Sequence, residues 1–325
     1  LRRIDTFGFH FLTLDVRQDA LVHRKVVGEL LGEENWLEWR PEDRVKRIVE
    51  AIELRDSAPD SQSVAARKTL AVFQAVAFCK RKYGDHAIGP FIVSMTQGPD
   101  DILSILLLAN WSELHNRHFE VPIDIAPLLE TVDDLQRGQH ILDSLLGDDV
   151  YRQHLGRRSN RQIVMIGYSD SNKDSGIVAS RWALQRAQEV LIQTANDAGV
   201  SLTLFHGRGG TISRGGTKTR AGILSSPAGG LEKGFRVTEQ GEIIHAKYGL
   251  RGIALRTLEL MVGSVLEHGI DQGPRVGPKP SWVDAMSDLA RACRGQYRGL
   301  VYDHPQFYSF FRAATPIDVI ERMRI

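Results

Sequence analysis

The chain has 325 residues, of which 42% are hydrophobic, enough to bury one large α/β core or two smaller ones. Charged residues make up 25% and leave a net charge of +1, so composition gives no indication of a nucleic-acid-binding protein. The two cysteines, Cys79 and Cys293, lie far apart, which argues against a thiolate zinc site and favours a reducing, cytoplasmic compartment. The longest strongly apolar run, about residues 102–109, is too short to span a membrane.

Short apolar runs alternate with longer amphipathic segments along the chain. The runs predict strands at 12–16, 91–95, 123–129, 163–166, 202–205 and 235–237. Helical periodicity predicts helices at 62–83, 99–114, 131–146, 177–198, 253–268 and 282–295, with Gly199 as a C-terminal cap. This alternation predicts an α/β fold, an incomplete (β/α)8 TIM-type barrel with additional helices. An open, doubly wound sheet is the alternative, because fewer than eight strands can be counted.

The segment 272–280 is rich in proline and glycine and predicts a domain boundary. We therefore expect a partial barrel carrying the site at 1–271 and a C-terminal helical segment at 272–325. The chain begins with Leu1 and stops within a helical pattern, so we expect an internal piece of a larger protein.

The strongest local signal is HGRGGTISRGG at 206–216, directly after a predicted strand. Glycines let the backbone approach an anion closely, and Arg208 and Arg214 can add forked hydrogen bonds to phosphate or carboxylate. The alternative is a glycine-rich loop whose arginines face solvent. Two arginines, a histidine at the mouth and a buried strand before them favour an anion site.

A second signal is YSDSNKDSG at 168–176, between a predicted strand and a predicted helix. One alternative is that Asp170 and Ser171 serve only as an N-cap, a role that suits Asp174 and Ser175 better because they lie closest to the helix. Asp170 lies further out on the predicted loop and is freer to bind a ligand, and Lys173 would favour a phosphate.

Glu130 follows the third predicted strand, while Asp133 and Asp134 suit the first turn of the next helix. If the barrel forms, Glu130 and Asp170 come from neighbouring strand ends. Two carboxylates completed by water and substrate oxygens are a common way to hold Mg²⁺ or Mn²⁺. Arg17 follows the first predicted strand, and taken alone it is best interpreted as a salt-bridge partner.

The strings VMIGYSDSNKDSG at 164–176 and FHGRGGTISRGG at 205–216 resemble signatures of the phosphoenolpyruvate carboxylase family. Further matches cover nearly the whole chain: LDVRQ at 14–18, IVSMTQGPDDIL at 92–103, APLLETVDDL at 126–135, RVTEQGEII at 236–244 and ATPIDVIE at 314–321. The resemblance implies an enzyme that joins phosphoenolpyruvate and bicarbonate to give oxaloacetate and phosphate. It also implies Mg²⁺ or Mn²⁺ as cofactor and a homo-oligomer.

The resemblance also implies roles for individual residues. Glu130 and Asp170 would bind the metal, and Leu128 and Met165 would line an apolar pocket for CO₂. The remaining implied residues are catalytic or bind substrate anions: Arg17, Lys173, His206, Gly207, Arg208, Gly209, Gly210 and Arg214. Among them, Arg17 and Arg208 are the preferred phosphate ligands.

In the implied reaction, bicarbonate attacks phosphorus to give carboxyphosphate and the enolate of pyruvate. Carboxyphosphate then releases CO₂, which the enolate carbon attacks. A dry apolar wall would keep water from protonating the enolate. The chain lacks the family's T-A-H-P-T segment with its catalytic histidine, expected upstream. It also carries Ser213 where glycine is usual, and Thr217 and Lys218 where a small residue and proline are usual.

The isolated chain is therefore expected to have little or no carboxylase activity. One alternative is a non-catalytic fragment or subunit that binds metal or phosphate and needs a partner chain to complete its barrel. Another is a different barrel enzyme acting on phosphoenolpyruvate or pyruvate.

Overall fold

Parallel strands pair in the order in which they occur along the chain. The computed structural model describes residues 1–8, 10–55, 58–59, 63–208, 218–239, 241–270 and 278–323. The sheet in those residues has six strands: β1 (Leu14–Asp19), β2 (Ile88–Ser94), β3 (Ile125–Leu129), β4 (Arg161–Gly167), β5 (Ser201–Gly207) and β6 (Arg236–Val237). All neighbours are parallel. A doubly wound sheet reverses its strand order at a switch point, so the sequential order rules that alternative out.

The sheet curls enough to bring its two outer strands together. Arg236 of β6 donates from Nη2 to both carboxylate oxygens of Asp15 in β1, each at 2.6 Å. These strands stand at opposite ends of the strand order, so the ion pair spans the open side of the sheet. The predicted α/β class is confirmed, and the sheet forms a six-stranded half-barrel.

Helices follow most strands and cover the outside of the sheet. They are α1 (Arg2–Phe7), α2 (Ala20–Leu31), α3 (Pro41–Leu54), α4 (Val64–Tyr83), α5 (Pro99–Trp111), α6 (Val132–Gly147), α7 (Asp149–Arg157), α8 (Ser169–Ser175), α9 (Ile177–Asp197), α10 (Thr219–Leu224), α11 (Gly241–Tyr248), α12 (Arg251–Ile270), α13 (Pro280–Val301), α14 (Phe307–Ala314) and α15 (Ile317–Arg322). No helix in the described part of the chain is long and apolar enough to cross a membrane.

The predicted helices are confirmed, with ends shifted by a few residues. Gly199 caps α9 as expected: its φ is +65°, and the amide of Val200 donates to the carbonyl of Ala195 at 2.8 Å. At the start of α6, Thr131 and Asp134 form a reciprocal capping box with two 3.0 Å hydrogen bonds. This box fixes the backbone immediately after Glu130.

The strands bury different residues on their two faces, because successive side chains point to opposite sides of a sheet. The inner face forms its own apolar cluster, made of Ile92, Ala126, Leu128, Ile163, Met165 and Phe205. The outer face packs under the helices through residues such as Val93, Leu129, Ile166 and Leu204. Any functional side chain near a strand end therefore belongs either to the barrel interior or to the helix layer.

Two local predictions were wrong. Arg17 was expected after the first strand, but β1 runs to Asp19 and includes it. The segment from Ser169 was expected to be a loop, but it forms α8, so Asp170 and Lys173 lie on a helix. The predicted boundary between 1–271 and 272–325 falls at residues outside the described set, and α13 beyond it packs against α8 and α9.

Because the chain buries histidines, we predict that its free energy of unfolding falls in mild acid. Burial, and then the charge of Arg158, lower the pKa of His154 from 6.5 to about 4, against the raising effect of Asp124. Between these two pKa values the unfolded chain binds a proton that the folded chain does not, so a falling pH favours unfolding. From pH 7.5 to pH 5, we expect the free energy of unfolding to fall by about 2 kcal/mol more in the wild type than in His154→Gln.

Urea unfolding at the two pH values measures this difference. His140→Gln, at an exposed position on α6, is the matched control and should retain the wild-type pH dependence. The same pH dependence in His154→Gln and the wild type would contradict the prediction.

Candidate functional site

A buried carboxylate stands at the carboxyl end of β3. Glu130 is 4% exposed and directly follows the strand. The Nη2 of Arg17 donates to its Oε1 at 2.7 Å, and the backbone amide of Met95 donates to its Oε2 at 2.9 Å. Arg17 pairs in register with the inward-facing Ile92, which places the ion pair at the barrel interior. The side chain of Arg17 is 52% exposed, so the pair is open to solvent on the arginine side.

Met95 takes a backbone conformation that L-residues adopt rarely. It follows β2 and has a φ of +55°, in the left-handed region. Such a conformation costs on the order of 1–3 kcal/mol and persists only where surrounding contacts hold it. Here the conformation accompanies an amide directed at Glu130. Sequence reasoning did not find Met95, because a backbone donor leaves no signal in the side chain.

Gly167 provides the space that Glu130 occupies. A Cβ at this position would lie 3.1 Å from the Cα and 3.3 Å from the Cγ of Glu130. Gly167 is the last residue of β4 and neighbours the end of β3. A glycine at the end of an otherwise apolar strand often marks a close approach, and this signal could have identified it from the sequence.

The site contains two carboxylates with different surroundings. Burial raises the pKa of Glu130, and the charge of Asp170 raises it further, against the lowering effects of the Met95 amide and Arg17. Asp170 lies in the first turn of α8, is 47% exposed at its side chain and pairs with Lys173 at 2.5 Å. Glu130 follows β3 and Asp170 lies in the helix that follows the neighbouring β4, so the two carboxylates come from neighbouring strand ends, as predicted.

Two carboxylates alone do not make a complete set of metal ligands. No group of three or more histidine, cysteine, aspartate or glutamate side chains placed to hold a metal occurs within the described ranges. An all-protein cage is therefore not seen there. A pair of carboxylates that leaves positions for water and substrate oxygens suits Mg²⁺ or Mn²⁺.

The predicted apolar pocket residues lie together on the inner face. Leu128 of β3 and Met165 of β4 are register partners, and both are buried. Phe205 of β5 belongs to the same cluster, and a Cβ at Gly207 would lie 3.0 Å from the Cε of Met165. Leu128 precedes Glu130 by two residues and so shares its face of the strand. The interior thus places a charged pair next to a dry apolar wall.

His206 lies on the other face of β5, under the helices. It is 3% exposed, and its Nδ1 is 2.9 Å from the hydroxyl of Tyr168. Burial, and then the charge of Arg208, lower the pKa of His206 to about 4, so its ring is neutral at pH 7. His206 and Glu130, which the sequence placed in one site, therefore lie on opposite faces of the sheet.

Arg208 shares this outer position. It is 5% exposed, with its guanidinium carbon 5.3 Å from the centre of the Tyr168 ring. Arg181 of α9 lies 5.4 Å from the same ring, so two cations contact one aromatic residue. Tyr168 and Arg181 were missed, because a tyrosine and a helical arginine carry no motif of their own. Gly209, Gly210 and Arg214, also predicted as site residues, lie outside the described residues.

The comparison with protein families decides the assignment. The family model described as phosphoenolpyruvate carboxylase matches residues 1–325. The chain belongs to the phosphoenolpyruvate carboxylase family. The resemblance expected from the sequence motifs is confirmed. Neither the alternative of a non-catalytic fragment or subunit nor that of a different barrel enzyme is favoured.

Curated relatives agree with this phosphoenolpyruvate carboxylase assignment. A protein of Xanthomonas oryzae pv. oryzae is 45% identical over 331 residues, covering 100% of this chain and 36% of its own length. A protein of Aeromonas salmonicida is 39% identical and one of Pectobacterium carotovorum is 38% identical, each covering 97% of this chain and 35% of its own length. All three are named phosphoenolpyruvate carboxylase. The chain thus spans about a third of the length of these carboxylases.

The carboxylates beside the site have structural partners. Asp174 was predicted as an N-cap, but the N-cap of α9 is Gly176 and has no side-chain hydrogen bond. Asp174 instead pairs with Arg298 of α13 at 2.6 Å. Asp133 lies in the first turn of α6, as predicted, and pairs with Arg294 at 2.9 Å.

Substituting Gly167 should disturb both stability and the Glu130 site. A Cβ there would press on the backbone of Glu130, so we expect Gly167→Ala to lower the free energy of unfolding by about 1–3 kcal/mol. Gly156→Ala, in α7 with nothing within 4 Å of the added Cβ, should be neutral or stabilising by up to about 1 kcal/mol. Urea unfolding of the two variants measures the contrast, and equal stability would refute this account of Gly167.

Proposed function

We propose that this chain supplies the metal-binding and anion-binding half of a phosphoenolpyruvate carboxylase active site, in an enzyme that converts phosphoenolpyruvate and bicarbonate to oxaloacetate and phosphate. The observation that carries the proposal is the Arg17–Glu130 pair at the interior carboxyl ends of parallel strands, in a chain of this family. Active sites of barrel enzymes lie at this end of the strands.

The residues present fit a divalent metal. Glu130 and Asp170 would hold Mg²⁺ or Mn²⁺, since a buried carboxylate with a raised pKa next to a second carboxylate gains from a nearby cation. When bound, the metal would stabilise negative charge on the enolate and phosphate oxygens. Arg17 donates a hydrogen bond to one carboxylate oxygen of Glu130. If a cation bound that oxygen instead, the exposed guanidinium of Arg17 would be available to a phosphate.

The other inner residues would protect the reacting carbon. Leu128, Met165 and Phe205 form an apolar surface on the Glu130 face, which would keep water from protonating the enolate before CO₂ reaches it. Lys173, on the same helix as Asp170, would add a positive charge for the substrate anions. In this proposal Arg208 binds phosphate only after its guanidinium leaves the ring of Tyr168. The proposed roles of His206, Gly207, Gly209, Gly210 and Arg214 rest on the motif resemblance.

We further propose that the six strands are part of a complete TIM-type (β/α)8 barrel whose other strands come from outside this chain. On this view the isolated 325-residue chain has little or no carboxylase activity. The whole enzyme would be a cytoplasmic homo-oligomer that replenishes oxaloacetate.

A chimera tests the activity. This chain would replace the matching 331-residue region of the Xanthomonas oryzae pv. oryzae phosphoenolpyruvate carboxylase, with which it is 45% identical. We expect oxaloacetate formation from phosphoenolpyruvate and bicarbonate, measured by coupling to malate dehydrogenase, and none from the isolated chain. Arg17→Gln in the chimera should lower kcat/KM at least tenfold, because the phosphate loses a charged partner. A folded chimera without activity would contradict the proposal.

Metal binding can be tested on the 325-residue chain itself. Titration with Mn²⁺, followed by the electron paramagnetic resonance signal of the free ion, should show one site. Glu130→Gln and Asp170→Asn should each weaken it at least tenfold, because each removes one of two charged ligands. Asp143→Asn, at an exposed position of α6, is the control and should bind like the wild type. Unchanged affinity in both ligand variants would place the metal elsewhere.

A further inference from the structure

Helix α13 closes the end of the short helix that carries Asp170. The hydroxyls of Tyr297 and Tyr302 both donate to the backbone carbonyl of Lys173 in α8, each at 2.9 Å. Arg298 donates to the carbonyl of Asp174 at 3.1 Å. The last carbonyls of an α-helix have no hydrogen-bond donor within the helix, and these three side chains supply donors to two of them.

The same face of α13 also connects the two strand ends of the site. Asp174 in α8 receives Arg298 at 2.6 Å and Arg294 at 3.5 Å. Arg294 also pairs with Asp133 at 2.9 Å, three residues beyond Glu130. One guanidinium therefore spans the segment that follows β3 and the segment that follows β4. Each of those segments carries one of the two carboxylates of the site.

Helix α8 depends on such external contacts. It has seven residues, too few for a stable isolated helix. Ser171 anchors its first turn by donating to the carbonyl of Gly167 at 2.7 Å. The contacts with α13 anchor its last turn, where Gly176 has a φ of +77° and an added Cβ would lie 3.1 Å from the Tyr297 ring.

Asp170 itself has few constraints. Its side chain is 47% exposed, and its ion pair within the described residues is with Lys173, one turn along the same helix. Its placement relative to Glu130 is therefore set by how α8 is held. Glu130, by contrast, is fixed directly by Arg17 and the amide of Met95. Of the two carboxylates, Asp170 is the one whose position depends on contacts between α8 and α13.

We propose that Arg294, Tyr297, Arg298 and Tyr302 are positioning residues that hold Asp170 against Glu130 and thereby set the affinity of the site for a divalent cation. This inference rests on the proposed function, because it takes the two carboxylates to be the metal ligands. None of the four needs to touch the metal or the substrate. Their effect passes through the carboxyl end of α8 and through Asp133.

Conservative variants test the positioning role. Tyr297→Phe combined with Tyr302→Phe removes two hydroxyls and retains both rings, including the packing over Gly176. Loss of groups that orient a metal ligand typically weakens metal binding 10-fold to 100-fold. We therefore expect the Kd for Mn²⁺ to rise about tenfold in the double variant, and similarly in Arg298→Gln. The controls are Tyr308→Phe and Arg291→Gln, at exposed positions whose contacts lie within α14–α15 and α13.

A purely structural role would give a different result. In an Asp170→Asn background, the double tyrosine substitution should change the Kd by less than twofold, because the ligand it positions is gone. The thermal unfolding midpoint of the double variant should stay close to that of Tyr308→Phe. In the chimera, the Mn²⁺ concentration for half-maximal activity should rise about tenfold. If the double variant does not fold, Arg298→Gln against Arg291→Gln decides the question.

The outcomes separate this inference from the proposed function. A wild-type chain that binds no Mn²⁺ overturns the metal site and this inference with it. A wild-type chain that binds Mn²⁺ through Glu130 and Asp170, with the α13 variants binding within twofold of it, overturns the positioning role alone. The positioning role is also overturned if the double tyrosine substitution raises the Kd for Mn²⁺ by the same factor with and without Asp170→Asn. The tyrosines would then affect metal binding by a route that does not involve Asp170.

Discussion

The site depends on keeping one carboxylate charged inside a barrel wall. Removing a carboxylate from water costs several kcal/mol unless charged and hydrogen-bonding partners replace the water. Glu130 obtains a guanidinium from β1 and a backbone amide from the end of β2, while Gly167 of β4 leaves room for its backbone. Four consecutive strands must therefore be in the observed register for this one side chain to be stable. The strand register that builds the sheet is therefore also the register that the site requires.

The alternation of side chains along strands divides the family motifs between two environments. The inner face collects Arg17, Glu130, Leu128 and Met165, where a charged pair meets an apolar wall. The outer face collects His206 and Arg208 around Tyr168, where burial keeps the histidine neutral. The run from Phe205 to Arg208 therefore contributes to two surfaces, with Phe205 on the inner face and His206 and Arg208 on the outer one. Residues adjacent in sequence do not have to act on the same ligand.

Charge pairs link the segments that carry the site. Asp133 and Asp174 lie on different helices, yet both reach Arg294 of α13. Arg236 and Asp15 make the corresponding link between the first and last strands of the half-barrel. Such pairs contribute little energy when exposed, but here they join segments that are distant in sequence. The C-terminal helices thus belong to the architecture of the site and not only to its periphery.

The sequence by itself determined the α/β class, all six strands, the main helices and the family, because these follow from local periodicity and from contiguous motifs. It also placed Glu130 and Asp170 at neighbouring strand ends, since parallel strands bring their carboxyl ends to one edge. Only the tertiary structure decided that Arg17 lies within β1, that Asp170 lies on a helix, and that Asp174 pairs with Arg298 and caps nothing. It alone revealed Met95 and Tyr168, because the contact of a backbone amide with a carboxylate and of one ring with two cations arise only when distant segments meet. Strand register and helix docking are set by the whole core, and no local pattern of residues encodes them.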